Sequence, residues 1–429
     1  MAETVLVGGS IVDMSGVARG KYVPAARLDA FHKVGMGASP SWSVFCVDGS
    51  IAFTPELGVV GDNRIRIDPA NLHTVEDGVG WAPGDLHLQD GGRSPMCGRG
   101  VLTRVVEDAR SAGLTARVGA ELECTLLSAD GGHASTGPWA PYGVRTSLER
   151  SALLVDLTVA AERAGLGLEQ LHTEYGHDQL EVSLSPTDPV SAADDVVLAR
   201  IVLGRVAARH GLAVSFSPLP FAGEAGNGAH LHLSLADADG RPVLDGGTGP
   251  HGLTPAGEAA IAGILDALPG LLGVYAGSAL SLRRLVPGNW AGAAVCWGLE
   301  NREAAVRLVG GGPASAHGAN IELKVVDPSA NPYLAVAALL GSAVAGVRAG
   351  LSPADEVAVH PGESGRELPQ LPASQSEAID ALEASAVARD VLGAPVVAGV
   401  AAVRRREVEV FGSQPLADTA EALRLAWSC

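Results

Sequence analysis

Four short segments alternate aliphatic residues with metal- or proton-handling side chains, a period of two that predicts strands with one apolar and one polar face. Gly119-Ala120-Glu121-Leu122-Glu123-Cys124 projects two carboxylates together, and Ala229-His230-Leu231-His232-Leu233-Ser234-Leu235 sets two imidazoles and a hydroxyl opposite three leucines. Within His172 to Val182, Glu174 and Glu181 add two carboxylates, the second opposed by Leu180 and Val182. Ile321-Glu322-Leu323-Lys324-Val325 puts Glu322 and Lys324 on one face. Helical spacing predicts amphipathic helices near 147–164, 187–210, 254–277, 330–348 and 374–391, and another over Val101–Ala112. The apolar run Tyr333–Val347 is about 15 residues, short of the 18 or more of a membrane span, and reads as a buried helix.

Residues 1 to about 100 carry turn signals and short strand-like runs such as Trp42–Val47, with weak helical patterns. The Pro/Gly cluster from Trp81 to Gly98 marks a boundary, dividing the chain into 1–100 and 101–429. Strands and helices mix without the regular repeat of a parallel α/β fold, which points to an α+β class.

Composition narrows the function. The 429 residues are 47% hydrophobic, enough for two or three cored domains. With 30 Lys and Arg against 48 Asp and Glu the formal charge is −18, which argues against nucleic acid as partner because phosphate neutralisation needs clustered cations. Met1 to Val5 lacks a basic segment followed by an apolar stretch, so no export signal is expected. Five scattered cysteines without CxxC spacing suit reduced thiols in a cytoplasmic protein.

An exposed face of an antiparallel sheet also alternates for no functional reason, so the chemistry rests on convergence. Five glutamates and a histidine facing one cavity would repel one another unless cations filled it. Oxygen-rich ligation with a single imidazole favours Mg²⁺ or Mn²⁺ over Zn²⁺. Two arginine groups, Arg283-Arg284 and Arg302 to Arg307, offer guanidinium partners for an anionic nucleotide and an acidic substrate. Neither a P-loop nor a convincing Rossmann glycine pattern is present.

The order and spacing of these segments resemble the glutamine synthetase family over nearly the whole chain. The likeness is carried by Asp13 with Arg19-Gly20-Lys21, Trp81-Ala82-Pro83-Gly84, Glu121-x-Glu123, Glu174 through Glu181, Gly226-Asn227-Gly228-Ala229-His230-Leu231-His232, Arg284-Leu285-Val286-Pro287-Gly288, Asn301-Arg302, and Glu322 followed by Asp327-Pro328-Ser329-Ala330-Asn331-Pro332-Tyr333-Leu334. The resemblance implies a small N-terminal β-grasp domain and a large catalytic domain with a curved antiparallel sheet and helices. It also implies hexameric rings, commonly stacked in pairs as dodecamers, with active sites between subunits. By the same likeness Glu123, Glu174 and Glu181 hold one divalent cation, and Glu121, His230 and Glu322 the other. Arg302 would steady the transferring phosphoryl group, Arg307, His232 and Ser234 would lie with ATP, and Arg284 and Gly228 with the substrate glutamate. The family chemistry activates the γ-carboxylate of glutamate as an acyl phosphate, which a nitrogen nucleophile attacks.

The departures concern that nucleophile. Ammonium-using members carry a glutamate where this chain has Trp290, after Arg284-Leu285-Val286-Pro287-Gly288-Asn289. Tryptophan is no base but can wall off a larger alkylammonium. The expected reaction is therefore γ-glutamylation of a small organic amine: ethanolamine, an alkylamine or a polyamine. A compact amine is preferred because little further acidity surrounds Trp290 in sequence. Asp48 resembles an aspartate supplied across the subunit interface that would hold the protonated amine, a bland turn aspartate being the other reading. Asn320 and Lys324 stand where better-known members have arginines, and Lys324 is one of only three lysines. Ammonium-using glutamine synthesis and a catalytically silent ligand-binding regulator are the alternatives.

Overall fold

The computed structural model describes residues 3–55, 57–312 and 315–428. Strands up to His87 form a sheet of their own: β1 (Leu6–Val12), β2 (Ala18–Pro24), β3 (Met36–Ala38), β4 (Asn63–Ile67), β5 (His73–Glu76) and β6 (Val79–His87). Its order is β2-β1-β6-β4-β3, with β5 also on β6. β1 and β6 run parallel at the centre while the other pairs are antiparallel. A short helix, Leu28–Lys33, lies between β2 and β3 in sequence, an arrangement that fits the expected β-grasp unit. The run Trp42–Val47 is not a strand: Pro40–Val44 form a 3₁₀ turn, with the Ser39 side chain accepting from the Ser41 N–H. Proline pre-set for a first turn and a capping serine outweigh the β-branched and aromatic content.

The second sheet holds β7 (Thr115–Leu127), β8 (Leu168–Thr173), β9 (Gln179–Thr187), β10 (Ala213–Ser215), β11 (Leu231–Ala236), β12 (Ala294–Leu299), β13 (Ala304–Val309) and β14 (Asn320–Leu323). Its order is β12-β13-β14-β11-β7-β9-β8, with β10 on β7. All pairs are antiparallel except β12 with β13. The alternating segments fall on or at the ends of β14, β11, β7 and β9, four consecutive neighbours of this sheet. Residues 200 positions apart in sequence thus share one polar face.

Helices Gly98–Ser111, Ser151–Ala164, Pro189–Arg209, Pro255–Tyr275 and Pro332–Ala349 lie where the spacing predicts them, and the last predicted one is split at Ser385 into Gln375–Ala384 and Ala386–Leu392. The helix Ala394–Phe411 went unread in sequence. Its buried face contains Arg404 and Glu407, an ion pair of 2.9 Å whose side chains are 2% and 1% exposed, so charged letters interrupt the apolar stripe. Pro255–Tyr275 and Pro332–Ala349 are long and apolar enough to cross a membrane, but 72% and 78% of their most apolar windows are buried inside the protein. Cys46, Cys97, Cys124 and Cys296 are buried and unpaired.

Asn331 ties a buried helix to the first sheet. Its side-chain oxygen caps the helix Pro332–Ala349 by accepting from the N–H groups of Tyr333 and Leu334, and its amide donates to the carbonyls of Val12 (3.0 Å), the last residue of β1, and Asp13 (3.1 Å). The same helix meets Pro255–Tyr275 through two glycines: a Cβ on Gly346 would lie 2.1 Å from the Ala259 carbonyl oxygen and 2.7 Å from the Gly263 Cα. Because backbone is what it would strike, the helices must separate to admit it. Gly346→Ala should therefore cost about 1–3 kcal/mol, read as a lower urea midpoint at unchanged slope.

Candidate active site

Sheet register brings the acidic residues together. Glu123 on β7 pairs directly with Glu181 on β9, and Glu181 pairs on its other side with His172 on β8. Glu322 on β14 lies opposite His232 on β11 and Arg307 on β13. His230 precedes β11, but the N–H groups of Glu121 and Glu123 donate to the His230 and Gly228 carbonyls at 3.0 Å each, continuing the pairing with β7. Two ligand-type groups result, Glu121 with His230 and Glu322, and Glu123 with Glu181 and His230, each with its donor atoms within 4.8 Å of one another. His230 Nδ1 lies 3.2 Å from Glu121 and 3.5 Å from Glu322, while its Nε2 lies 4.0 Å from Glu123.

Glu174 is held differently from expectation. It does not complete the group of Glu123 and Glu181. Its carboxylate accepts from the Tyr142 hydroxyl (2.8 Å) and the Tyr175 N–H (2.7 Å), sits 3.0 Å from His172 Nε2, and groups with His172 and Glu181. Its donors thus come from three places, the connection after β7, strand β8 and its own loop.

Cations offset the buried charge unevenly. Glu322 is 2% exposed and held by Lys324 Nζ at 3.0 Å and Arg307 at 3.1 Å. Burial disfavours its ionisation, yet Lys324 and then the two histidines keep it at about 2. Burial also opposes the charge on Glu121, but hydrogen bonds with His230 and His232 hold its carboxyl well below the usual range. In turn His232, which burial would neutralise, is raised to about 9 by Glu121. Glu181 fares worst: burial, then Glu121, Glu123, Glu174 and Glu322, push it up to about 10. This donor set lacks positive charge at Glu181, and a divalent cation fits that deficit.

Arg284, predicted to meet substrate, is buried and donates to the carbonyls of Lys324 (3.2 Å) and Val325 (3.3 Å), with its Nη2 3.2 Å from His230 Nε2. Gly228 lies against it: a Cβ there would fall 2.6 Å from the guanidinium, 2.6 Å from His230 Nε2 and 3.1 Å from Glu123. Its N–H instead donates to Glu123 at 2.8 Å. The cradle between metal-type ligands and arginine therefore requires glycine. Ser234 shares the face of His232 but donates to the Ala319 carbonyl at 3.2 Å. Arg302 is exposed on the turn after β12, where its charge acts on the Glu300 carboxylate. Asp48 is exposed in a turn, accepting from the Ser50 N–H and hydroxyl.

The model of the glutamine synthetase catalytic domain matches residues 95–421. The chain belongs to the glutamine synthetase family. It is 39% identical over 412 residues to the gamma-glutamylpolyamine synthetase GlnA3 of Streptomyces coelicolor, covering 92% of this chain and 88% of that protein. The glutamine synthetase of Pyrococcus abyssi is 31% identical over 394 residues, covering 89% and 85%. Among solved structures, one described as a novel glutamine synthase homolog gives a TM-score of 0.88 at 31% identity over 99% of both chains. GmaS in complex with ADP gives 0.85 at 28% identity over 96% of this chain and 95% of that one. As a glutamine synthetase family member the protein is an ATP-dependent ligase, of a family that uses ATP and a divalent metal.

In this family member the loop carrying Trp290 has a feature that spacing did not reveal. Trp290 is 55% exposed and sits at φ +53, left-handed backbone uncommon for a bulky residue. Its N–H donates to Glu303 at 3.0 Å, and the Gly288 N–H donates to the same carboxylate at 3.3 Å. A buried acid therefore does lie beneath Trp290, contrary to expectation. Glu303 was in view beside Arg302, but its partners are backbone groups 13 and 15 residues away, which no motif announces.

Both His232 and Glu181 have folded-state values above their ordinary 6.5 and 4.5. Their protonated forms favour folding, and the stability they lend falls as pH rises through the raised values. Metal-free protein should lose thermal stability between pH 6.5 and about 9, and Mn²⁺ should lessen the loss by replacing the proton. A melting temperature independent of pH in that window would contradict this.

Proposed function

We propose that this ligase joins the γ-carboxylate of glutamate to an organic amine at the expense of ATP. Glu123 and Glu181, with Glu174 from the loop before β9, would hold one divalent cation, and Glu121, His230 and Glu322 the other. Cations bound there would supply charge dispersal for transfer of the γ-phosphoryl group to the carboxylate. Arg284, fixed by two backbone carbonyls, is suited to pair with the glutamate carboxylate beside Gly228. Lys324 and Arg307 balance Glu322, so that this buried ligand stays ionised. Arg302, exposed on the turn after β12, would meet the transferring phosphoryl group, and His232 and Ser234 would lie on the nucleotide side. Asp48 would reach the amine from a neighbouring subunit of a hexameric or dodecameric assembly, with 1–100 and 101–429 as its domains.

The observation that carries the choice of nucleophile is Trp290. An indole offers an apolar, cation-attracting wall but no proton acceptor, and Glu303 fixes the backbone that presents it. The likeness to a gamma-glutamylpolyamine synthetase supports an amine over ammonium and brings a polyamine level with the compact amines.

Phosphate release from ATP with glutamate and Mg²⁺ should depend on an organic amine when ammonium, ethanolamine, methylamine, putrescine and spermine are compared, and mass spectrometry should find the γ-glutamyl adduct. Activity with ammonium alone would return the protein to glutamine synthesis, and silence throughout would point first to a different acid substrate and then to a ligand-binding regulator. Trp290→Glu should shift the ratio of kcat/KM for the preferred amine over ammonium at least about tenfold toward ammonium, about 1.4 kcal/mol. Unchanged selectivity would remove Trp290 as the discriminator.

A further inference from the structure

Outside the carboxylate cluster, His133, His177 and Asp178 bring one donor atom each within 4.8 Å of one another. His133 Nδ1 and His177 Nε2 converge on the same oxygen, Asp178 Oδ2, at 3.7 and 3.6 Å. Ligands at 2.0–2.2 Å in tetrahedral array stand about 3.4 Å apart, so each imidazole is within a few tenths of an ångström of the spacing to Asp178 that a shared ion requires. His133 Nδ1 is buried with no hydrogen-bond partner, a cost that a metal bond would remove.

The surroundings are those of a built ligand set. His133 Nε2 faces the Glu224 carboxylate at 3.2 Å, the carboxylate-imidazole relay that fixes the tautomer of a metal-binding histidine. The His133 ring stacks on Phe221 at 4.1 Å and the His177 ring on Trp139 at 5.5 Å. Asp178 is fully buried at φ +56. Its Oδ1 is held by Arg150 and the Ser135 hydroxyl, while Oδ2 takes only the Ser135 N–H besides the two imidazoles. The Ser135 hydroxyl also lies 3.0 Å from His177 Nε2, the contact an ion would displace.

We propose that His133, His177 and Asp178 form a second metal site that takes a borderline cation of the Zn²⁺ type, chemically distinct from the oxygen-rich cluster. An ion there ties the segment around His133 to the connection between β8 and β9. That connection carries Glu174, whose carbonyl accepts from Trp139 and whose carboxylate accepts from Tyr142. The second site thus bears on the rigidity of the first without sharing a ligand.

Chelator-treated full-length protein, given excess Mg²⁺ to occupy the carboxylate cluster, is titrated with Co²⁺ and with Zn²⁺. The wild type should bind about one Co²⁺ per chain more than His177→Gln and show the intense visible absorption of tetrahedral Co²⁺. Glu224→Gln, at an exposed position, should keep the spectrum and weaken Zn²⁺ binding about 10–100-fold. Crystals soaked in Zn²⁺ should show an anomalous peak between the three donor atoms. Equal uptake and spectra in wild type and His177→Gln, or an anomalous signal confined to the carboxylate cluster, would overturn the proposal.

Discussion

Mutual repulsion among buried carboxylates is the constraint around which this protein is built. Glu123 and Glu181 lie directly opposite each other on adjacent strands, a pairing that destabilises a sheet unless charge is supplied from elsewhere. The fold supplies part of it. Lys324 and Arg307 flank Glu322, and two histidines flank Glu121. What is left uncompensated is concentrated at Glu181, a deficit that a divalent cation would fit. Such a site trades stability for affinity: ligands that hold a divalent ion well are ligands that resist being folded together without one.

Holding that arrangement requires rigid support rather than flexible ligands. Four of the five glutamates sit within strands, so their directions follow from pleat and register. Gly228 admits Glu123, His230 and Arg284 to one small volume because it has no side chain. Beneath the sheet, Asn331 joins a buried helix to the end of β1, and the close approach of Gly346 to Gly263 packs that helix against its neighbour. The loop carrying Trp290 is built on different lines, pinned by one buried carboxylate, Glu303, through backbone N–H groups. A loop held this way can change its exposed residue, here Trp290, while keeping its path, which is how nucleophile choice can vary on a constant metal and nucleotide platform.

The sequence by itself determined the local periodicities. Alternation of Leu with His and Ser around His230, and of Glu with Leu around Glu121, dictates strand faces whatever lies next to them. Most helices were legible for the same reason, since their apolar stripes are continuous. Where a buried ion pair broke the stripe, as at Arg404 and Glu407, the helix was hidden. Where proline and a capping serine overrode composition, at Ser39-Pro40, a strand was wrongly expected. The likeness to glutamine synthetases added the candidate ligands, because their order along the chain survives without knowledge of the fold. Tertiary structure alone decided which strands are neighbours, that Glu174 answers to His172 and two tyrosines instead of Glu123, that Glu303 lies under Trp290, and that His133 meets His177 and Asp178. Those are contacts between residues far apart in sequence or across loops, fixed by register, burial and competition among donors, and no local pattern encodes the outcome of that competition.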